Sequence, residues 1–465
     1  MPENIRGTTM ATYVKSMTDG SELGHILRFS LPLLVGNIFQ QLYNVVDSAI
    51  VGRYLGSDKL AAVGTTGSIT YLFYTLCIGL ATGAGILIAQ RFGAKDMNSV
   101  RKLIINSAYA LGALGAVITV VSVICAEPLL RFLDTPETLL PDAVSYMTIS
   151  CAGTIAVAAY NWINSVMRSL GDSKTPLYFL IVASLLNAGL DVLFVVVFQW
   201  DVQGAALATI IAQGVSALGS IVFAFIKNPC FRFKKSQLVL RPYMFLKCLV
   251  TGIPIALQNA FVSVSMISLQ RTANSFGEDV MASYTASMRV EQLVQQPFAS
   301  LNVAISTFAG QNIGAGKTDR AVKGYKKTVL VGMAFAAVML VLFMLVSRNI
   351  VGIFVQEDAV LDIGSKALKL TAMFYFPLGL IHITRGMLNG AGDVGFALLN
   401  GIAEVVGRIG FAMILVNIPG VGHWAVWGTT CLTWVLTAVM SLLRYRFGNW
   451  RKRFASDGEK AMNKA

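Results

Sequence analysis

A chain of 465 residues that is 55% hydrophobic and 13% charged, with a mean hydropathy of +0.65, is more apolar than a water-soluble fold usually is. Its net charge of +13 does not indicate nucleic acid, because the basic residues fall in short breaks between apolar stretches and not on one soluble face. Six scattered cysteines and three distant histidines, His25, His382 and His423, lack metal-ligand spacing, so no metal cluster is expected. Residues Met1–Gly24 are polar and lack the basic, apolar and small-residue order of a signal peptide, so the first apolar stretch is expected to remain in the protein.

A membrane-spanning helix needs about 20 mainly apolar residues. Stretches of that kind predict helices over 27–55, 60–90, 99–125, 143–167, 176–198 and 204–226. Six more follow over 245–276, 281–312, 321–346, 368–388, 396–416 and 424–445. An offset of about 221 residues relates the two sets: Pro32 meets Pro254, Gln90-Arg-Phe-Gly-Ala94 meets Gln311-Asn-Ile-Gly-Ala315, and Gly171-Asp172 meets Gly392-Asp393. The expected fold is therefore an all-α integral membrane protein with twelve transmembrane helices in two pseudo-symmetric six-helix lobes. Its expected parts are a cytoplasmic N-terminal segment 1–26, an N-lobe 27–226, a cytoplasmic linker 227–244, a C-lobe 245–446 and a cytoplasmic tail 447–465. About 28 of the Lys and Arg residues lie on the side of both termini and about 7 on the other, which places the termini in the cytoplasm. The heaviest basic loops are 227–247 and 317–327, while the opposite side carries Glu127, Asp134, Glu137, Asp142, Glu357, Asp358 and Asp362. Gly79 and Gly83 mark sites of close helix packing.

On the first helix Asn37, Gln40, Gln41, Asn44 and Asp47 recur at spacings of three and four, forming one polar stripe that should face a cavity. A carboxylate at membrane depth costs about 2.5–3.5 kcal/mol. Asp47 has no basic residue three or four positions away, so function is expected to retain it. Asn187 and Asp191 share a face of the fifth helix, and Ala205 and Thr209 share one of the sixth. At 1.5 Å per residue, Asp47, Asp191 and Thr209 reach similar depths, roughly 8–13 Å from the outer helix ends. Such oxygens suit a hard monovalent cation or a shared proton. Each also has a plainer reading, since an intramembrane Asn or Thr often only joins helices and Asp191 could cap a helix end. In the second half Arg289, Glu291 and Gln258 are candidate cavity residues beside Gln40 and Asn44, whereas Glu404 and Arg408, four apart, read as a structural ion pair. The run Gly314-Ala-Gly-Lys-Thr318 is not a phosphate-binding loop: Gln311 stands where a glycine is needed and no strand precedes it.

Val45-Val-Asp-Ser-Ala-Ile-Val-Gly-Arg-Tyr-Leu-Gly56, Gln90-Arg-Phe-Gly-Ala94, Gln311-Asn-Ile-Gly-Ala-Gly316 and Met167-Arg-Ser-Leu-Gly-Asp172 together resemble the multidrug and toxic compound extrusion family, from about Leu23 to Tyr445. The resemblance implies an antiporter that exports organic, often cationic, compounds in exchange for sodium ions or protons, by alternating access of two lobes. Its motifs are closer to the bacterial and archaeal DNA-damage-inducible type, whose N-lobe cation site maps onto Asp47, Asn187, Asp191, Ala205 through its carbonyl, and Thr209. Two further cavity positions map onto Asn161 and Asn164, and a bending proline onto Pro32. The acidic residues of the other bacterial branch have no match, because Gln258 and His382 occupy those neighbourhoods.

The expected function is thus cation-coupled export of organic, cationic or amphiphilic compounds, with Na+ or H+ as coupling ion, no cofactor and no catalysis. A lipid-linked oligosaccharide flippase of the same superfamily is the alternative. An intramembrane transferase fits less well, because the helices show neither a paired acidic metal motif nor a nucleophile with a base. The expected partners are small organic substrates and the lipid bilayer. The protein is expected in the inner membrane as a multi-pass monomer.

Overall fold

The computed structural model describes residues 14–132 and 135–451, without the side chains of Ser57 and Ser68. Asp134, the first 13 residues of the N-terminal segment and residues 452–465 of the tail lie outside the described residues.

Helices dominate the fold. In chain order they are α1 (Glu22–Leu55), α2 (Ser57–Gly93), α3 (Met97–Phe132), α4 (Leu140–Ala152), α5 (Thr154–Ser169), α6 (Lys174–Asp191) and α7 (Asp201–Lys227). The second series is α8 (Pro242–Asn274), α9 (Glu278–Gly314), α10 (Thr318–Val351), α11 (Asp358–Met373), α12 (Tyr375–Gly390), α13 (Gly395–Val416) and α14 (Ala425–Phe447). A π-helical stretch, Val192–Val197, prolongs α6. Two pairs are single rods with a bend, α4 with α5 at 44° and α11 with α12 at 51°, so the described residues form twelve rods. This is the all-α, twelve-helix architecture read from the sequence. Eight of the helices, or ten with the bent pairs, are long and apolar enough to cross a membrane. The two rods outside that set, α1 and α9, are those whose faces carry Gln, Asn and charged residues. Several helices outrun the apolar stretch that reveals them: α3 continues through Glu127 and Pro128 to Phe132, and the rod of α11 begins ten residues before Leu368. A helix does not end where its lipid-facing part ends, so hydropathy marks the span and not the rod.

The internal repeat is written in the backbone. Left-handed φ values recur 221 residues apart at Gly56 and Gly277 (90° and 99°), Gly171 and Gly392 (86° and 83°), and Lys95 and Gly316 (59° and 73°). They recur again at Gln199 and Gly420 (54° and 87°) and at Asp201 and Gly422 (55° and 53°). The bends fall at Gly153 and Phe374, the same distance apart. Each half therefore follows one path, although the first half uses non-glycine residues at three of these turns.

By contacts the chain forms two compact units, one holding Val35–Ala256 with residues up to Thr18, the other Asp19–Leu34 with Leu257 onward. This cut differs from a division at the 227–244 linker because α1 and α8 each change unit within the helix, two residues after Pro32 and Pro254. Within the first unit Gly79 and Gly83 of α2 face Ala256 and Gly252 of α8 so closely that an added Cβ would stand 2.3 and 2.5 Å from backbone atoms. Small residues four apart permit that approach, as in membrane helix pairs generally. Within the second unit Gly386 and Gly390 of α12 lie against the carbonyls of Asn302 and Ser306 on α9 in the same way.

The basic 317–327 segment finds its counter-charges at the start of α1: Lys317 pairs with Asp19 at 2.6 Å, and Glu22 takes Arg320 at 3.2 Å and Lys327 at 2.8 Å. The hydrogen bond from Lys327, first among its contacts, holds the Glu22 carboxyl below its usual range. The duplicated Gly-Asp pair does two jobs. Asp172 accepts hydrogen bonds from the backbone of Lys174 and Thr175 and from the Thr175 hydroxyl, capping α6. Asp393 instead receives the Arg444 guanidinium through two bonds of 2.7 and 3.0 Å.

Gly56 and Gly171 separate two costs of losing a glycine. Both have positive φ, but an added Cβ meets nothing within 4 Å at Gly56 and would lie 2.1 Å from the Lys15 carbonyl oxygen at Gly171. Gly56→Ala should therefore cost only the strained backbone, about 1 kcal/mol. Gly171→Ala should cost clearly more, because the Lys15 backbone must move. Thermal unfolding midpoints in detergent would order the two, and equal midpoints would contradict the close approach.

Candidate cation site

The first unit assembles its polar residues at one place. Tyr43 and Asp47 lie four apart on α1, Asn187 and Asp191 four apart on α6, and Ala205 and Thr209 four apart on α7, so each helix offers one face. The Asp47 and Asp191 carboxyls are within hydrogen-bonding reach of each other. Each keeps one enclosed oxygen, Oδ1, without a donor. The Asn187 amide, with its nitrogen toward the carboxylate, donates to Asp191 Oδ2 at 2.7 Å. Its oxygen then accepts from the Thr209 N–H at 3.0 Å and the Thr209 hydroxyl at 3.3 Å. The reverse amide orientation would face oxygen with oxygen at Asp191, so the satisfied one is adopted. The Tyr43 hydroxyl completes the chain, 3.2 Å from Thr209 Oγ1.

Local structure explains the convergence. Asp191 is the last residue of regular α6, and the π-helical Val192–Val197 begins directly after it. Widened turns of this kind re-aim side chains and are frequent at functional sites. A stack of Phe194, Phe198 and Trp200, with ring centroids 4.9–6.1 Å apart, closes the turn into α7. Ala205 packs with Val51 and Val195 in a small apolar cluster one helical turn from Thr209. Two oxygens without donors beside an amide and two hydroxyls form an acceptor-rich, acidic pocket, which suits a small cation or a shared proton.

Next to this group lies a small, partly open cavity, bordered by Gln40, Tyr43, Tyr160, Ser184, Asn187 and Thr209. Gln40 thus lines it, while Asn44 is exposed on the same helix. Asn161 turns back to its own helix, donating to the Val157 carbonyl at 2.9 Å. Asn164 is buried, with its side-chain oxygen enclosed and without a donor.

The second unit keeps its polar residues apart. Gln258 donates to Asn400 Oδ1 at 3.2 Å, and Asn400 donates in turn to the Ser441 hydroxyl at 3.2 Å. Glu291 is buried elsewhere, hydrogen-bonded to Thr371, and Arg289, two positions earlier on α9, is exposed. Gln258, Arg289 and Glu291 therefore do not form one constellation. Arg408 and Glu404 make a buried ion pair of 2.8 Å.

Sequence reading left out three tyrosines. Tyr43 was legible in principle, being four residues before Asp47 on the same face. Tyr146 of α4 stands within electrostatic range of both carboxylates, and Tyr74 of α2, bonded to the Ser150 carbonyl at 2.9 Å, is close to Tyr43 and Tyr146. No spacing in the sequence links these two to α1 or α6.

The same two-part design appears in comparisons with known proteins. The MatE family model matches residues 32–193 and again 254–414, one copy in each half. The probable multidrug resistance protein YpnP of Bacillus subtilis is 28% identical over 93% of this chain and 97% of its own length. The multidrug export protein MepA of Staphylococcus aureus is 23% identical over 90% of each chain. A crystal structure of a MATE protein in the bent conformation superposes with a TM-score of 0.87 at 24% identity, covering 94% of this chain and 98% of the other. An outward-facing MATE transporter of the MOP superfamily gives 0.88 at 23% identity, covering 96% and 100%. With twelve helical rods in two repeated halves and a family match in each, the chain belongs to the MatE family of multi-pass membrane transporters.

Proposed function

We propose that this protein is a multidrug exporter that moves organic, cationic or amphiphilic compounds out of the cell by alternating access, driven by inward Na+ or H+. One observation carries the coupling: two intramembrane carboxylates face each other, each with an enclosed oxygen that no protein donor satisfies. Such a pair is stable only with a proton or cation held there, and the membrane potential contributes about 2.3 kcal/mol per charge per 100 mV to inward movement. In this reading Asp47 and Asp191 bind the coupling ion. Asn187, Thr209 and the Ala205 carbonyl complete its shell. The cavity beside Gln40 and Tyr160 receives the substrate, so ion and substrate meet at Asn187 and Thr209. The relatives named for multidrug resistance and export support this substrate class. The acidic character of the site weighs against a lipid pyrophosphate, which needs a basic cavity. Pro32 is the hinge of α1, since a proline within a helix frees a carbonyl and permits bending. Relatives of this fold have been solved in conformations described as bent and straight. In this reading the two termini and the 227–244 linker face the cytoplasm of an inner-membrane protein, which the basic charge of the loops on that side supports.

Export of a fluorescent organic cation from sealed vesicles, under separately imposed sodium and pH gradients, tests the reading. Asp47→Asn and Asp191→Asn should each abolish gradient-driven export while folded yield holds, because each removes a charge from the bilayer interior. Full export by Asp47→Asn under either gradient would return that residue to packing. If sodium is the driver, Thr209→Ala should weaken the response to sodium more than that to pH.

Pro32→Ala should slow turnover with cation affinity near that of the parent. Unchanged turnover would leave Pro32 as a residue of the helix start alone. For topology, cysteines placed at Ser236 and Thr138 should react with an impermeant thiol reagent in opposite senses, Thr138→Cys from outside and Ser236→Cys only after permeabilisation. Equal labelling of both in intact cells would reject the orientation.

A further inference from the structure

The ends of α2, α4 and α7 on the side of the cation site away from the 227–247 linker are joined by one lysine. Lys59, three residues into α2, reaches Asp142 Oδ1 at 2.7 Å and Asp201 Oδ2 at 2.6 Å. Asp142 lies in the first turn of α4 and Asp201 begins α7, the latter held in a left-handed backbone conformation with its other oxygen taken by the Val202 N–H at 2.8 Å. A helix end with its free N–H groups favours nearby carboxylates, and a lysine between two of them ties the helix ends to one point.

Directly inside this clasp lies an apolar plug. Val51, Val195 and Ala205 form its buried centre, with Leu55, Leu60 and Tyr146 packed around them. The plug continues to the carboxylates: Val51 is one turn from Asp47 on α1, Val195 one turn from Asp191 on the π-helical stretch, and Ala205 one turn from Thr209. Tyr146, one turn below Asp142 on α4, packs in the plug and stands within electrostatic range of both carboxylates. Clasp, plug and carboxylate pair are thus stacked in series along the same helices. At the positions 221 residues later the second half has Val280, Ile363 and Gly422, so it carries no such clasp. Among the described residues the clasp occurs only in the half that carries the carboxylate pair.

We propose that Lys59 is a positioning residue that closes the outer route to the Asp47–Asp191 site: its bonds to Asp142 and Asp201 hold α2, α4 and α7 over the plug, and their release admits the coupling cation from outside. The proposal rests on the cation-coupled reading for its function, whereas closure itself can be measured without transport.

The closure test places a cysteine at Val51 and follows its labelling from outside by an impermeant thiol reagent, against the six native cysteines as background. Combined with Lys59→Met, labelling of Val51→Cys should quicken about tenfold. Lys59→Arg should restore the parental rate, and a cytoplasmic cysteine at Ser236 should be unaffected. An unchanged rate in Lys59→Met would overturn the proposal. If Lys59→Met does not fold, Asp142→Asn and Asp201→Asn, which each remove one of the two bonds, take its place, and parental labelling in both would overturn it equally. The transport test measures cation entry into proteoliposomes without substrate, which should rise severalfold in Lys59→Met. If the parent responds to neither a sodium nor a pH gradient, the coupling reading falls, and the labelling result still decides whether Lys59 closes the outer end.

Discussion

Two carboxylates placed together inside a bilayer set the terms for the rest of this structure. A charge at that depth is unfavourable by a few kcal/mol, and two like charges within reach of each other add repulsion. Asp47 and Asp191 are tolerated because their surroundings are built to hold them. Asn187 supplies a donor to Asp191, Thr209 anchors Asn187 and is itself bonded to Tyr43, and Asp191 is carried at the start of a π-helical stretch. What the protein does not supply is a donor for either enclosed Oδ1. A folded protein rarely leaves such atoms unsatisfied. In the proposed reading the missing partner is the coupling ion.

The distribution of apolar and polar matter follows from that requirement. On one side of the pair is a small cavity edged by amides and hydroxyls, those of Asn187 and Thr209 among them. On the other is an apolar cluster of Val51, Val195 and Ala205. Under the proposed coupling, such unequal sealing would keep an ion from passing through and dissipating its gradient without work.

Much of this was legible in the chain. The lipid-spanning stretches gave the helices, since twenty apolar residues have few alternatives. The repeat offset, read from three short motifs, reappears in the left-handed turns at Gly56 and Gly277 and in the bends at Gly153 and Phe374. The spacing of Asn187 and Asp191, and of Ala205 and Thr209, correctly grouped residues on one face of each helix. Other features were out of reach for physical reasons. Hydropathy cannot see where a helix ends beyond the membrane, so α3 and α11 ran longer than their apolar stretches. A π-helical stretch of Val, Leu and Phe has no distinct composition. Contacts such as Lys59 with Asp142 and Asp201 join residues 83 and 142 positions apart, and only the packed helices bring them together.

The repeat also shows why the paired carboxylates occur in one half alone. Residues 221 apart occupy equivalent places, and the equivalent of Asn187 is Arg408, while the equivalent of Asp191 is Ala412. Where the first half has an amide beside a carboxylate, the second has a guanidinium beside an alanine. Arg408 reaches back one turn to Glu404 at 2.8 Å, and both side chains are buried. The second half therefore holds its positive charge covalently, in a side chain whose proton is not released in proteins. A fixed cation in that place removes the room and the negative charge that a mobile one would need. At this place the two copies of one six-helix path differ in charge: one has an acidic pocket with unsatisfied oxygens, the other an arginine paired with its own glutamate.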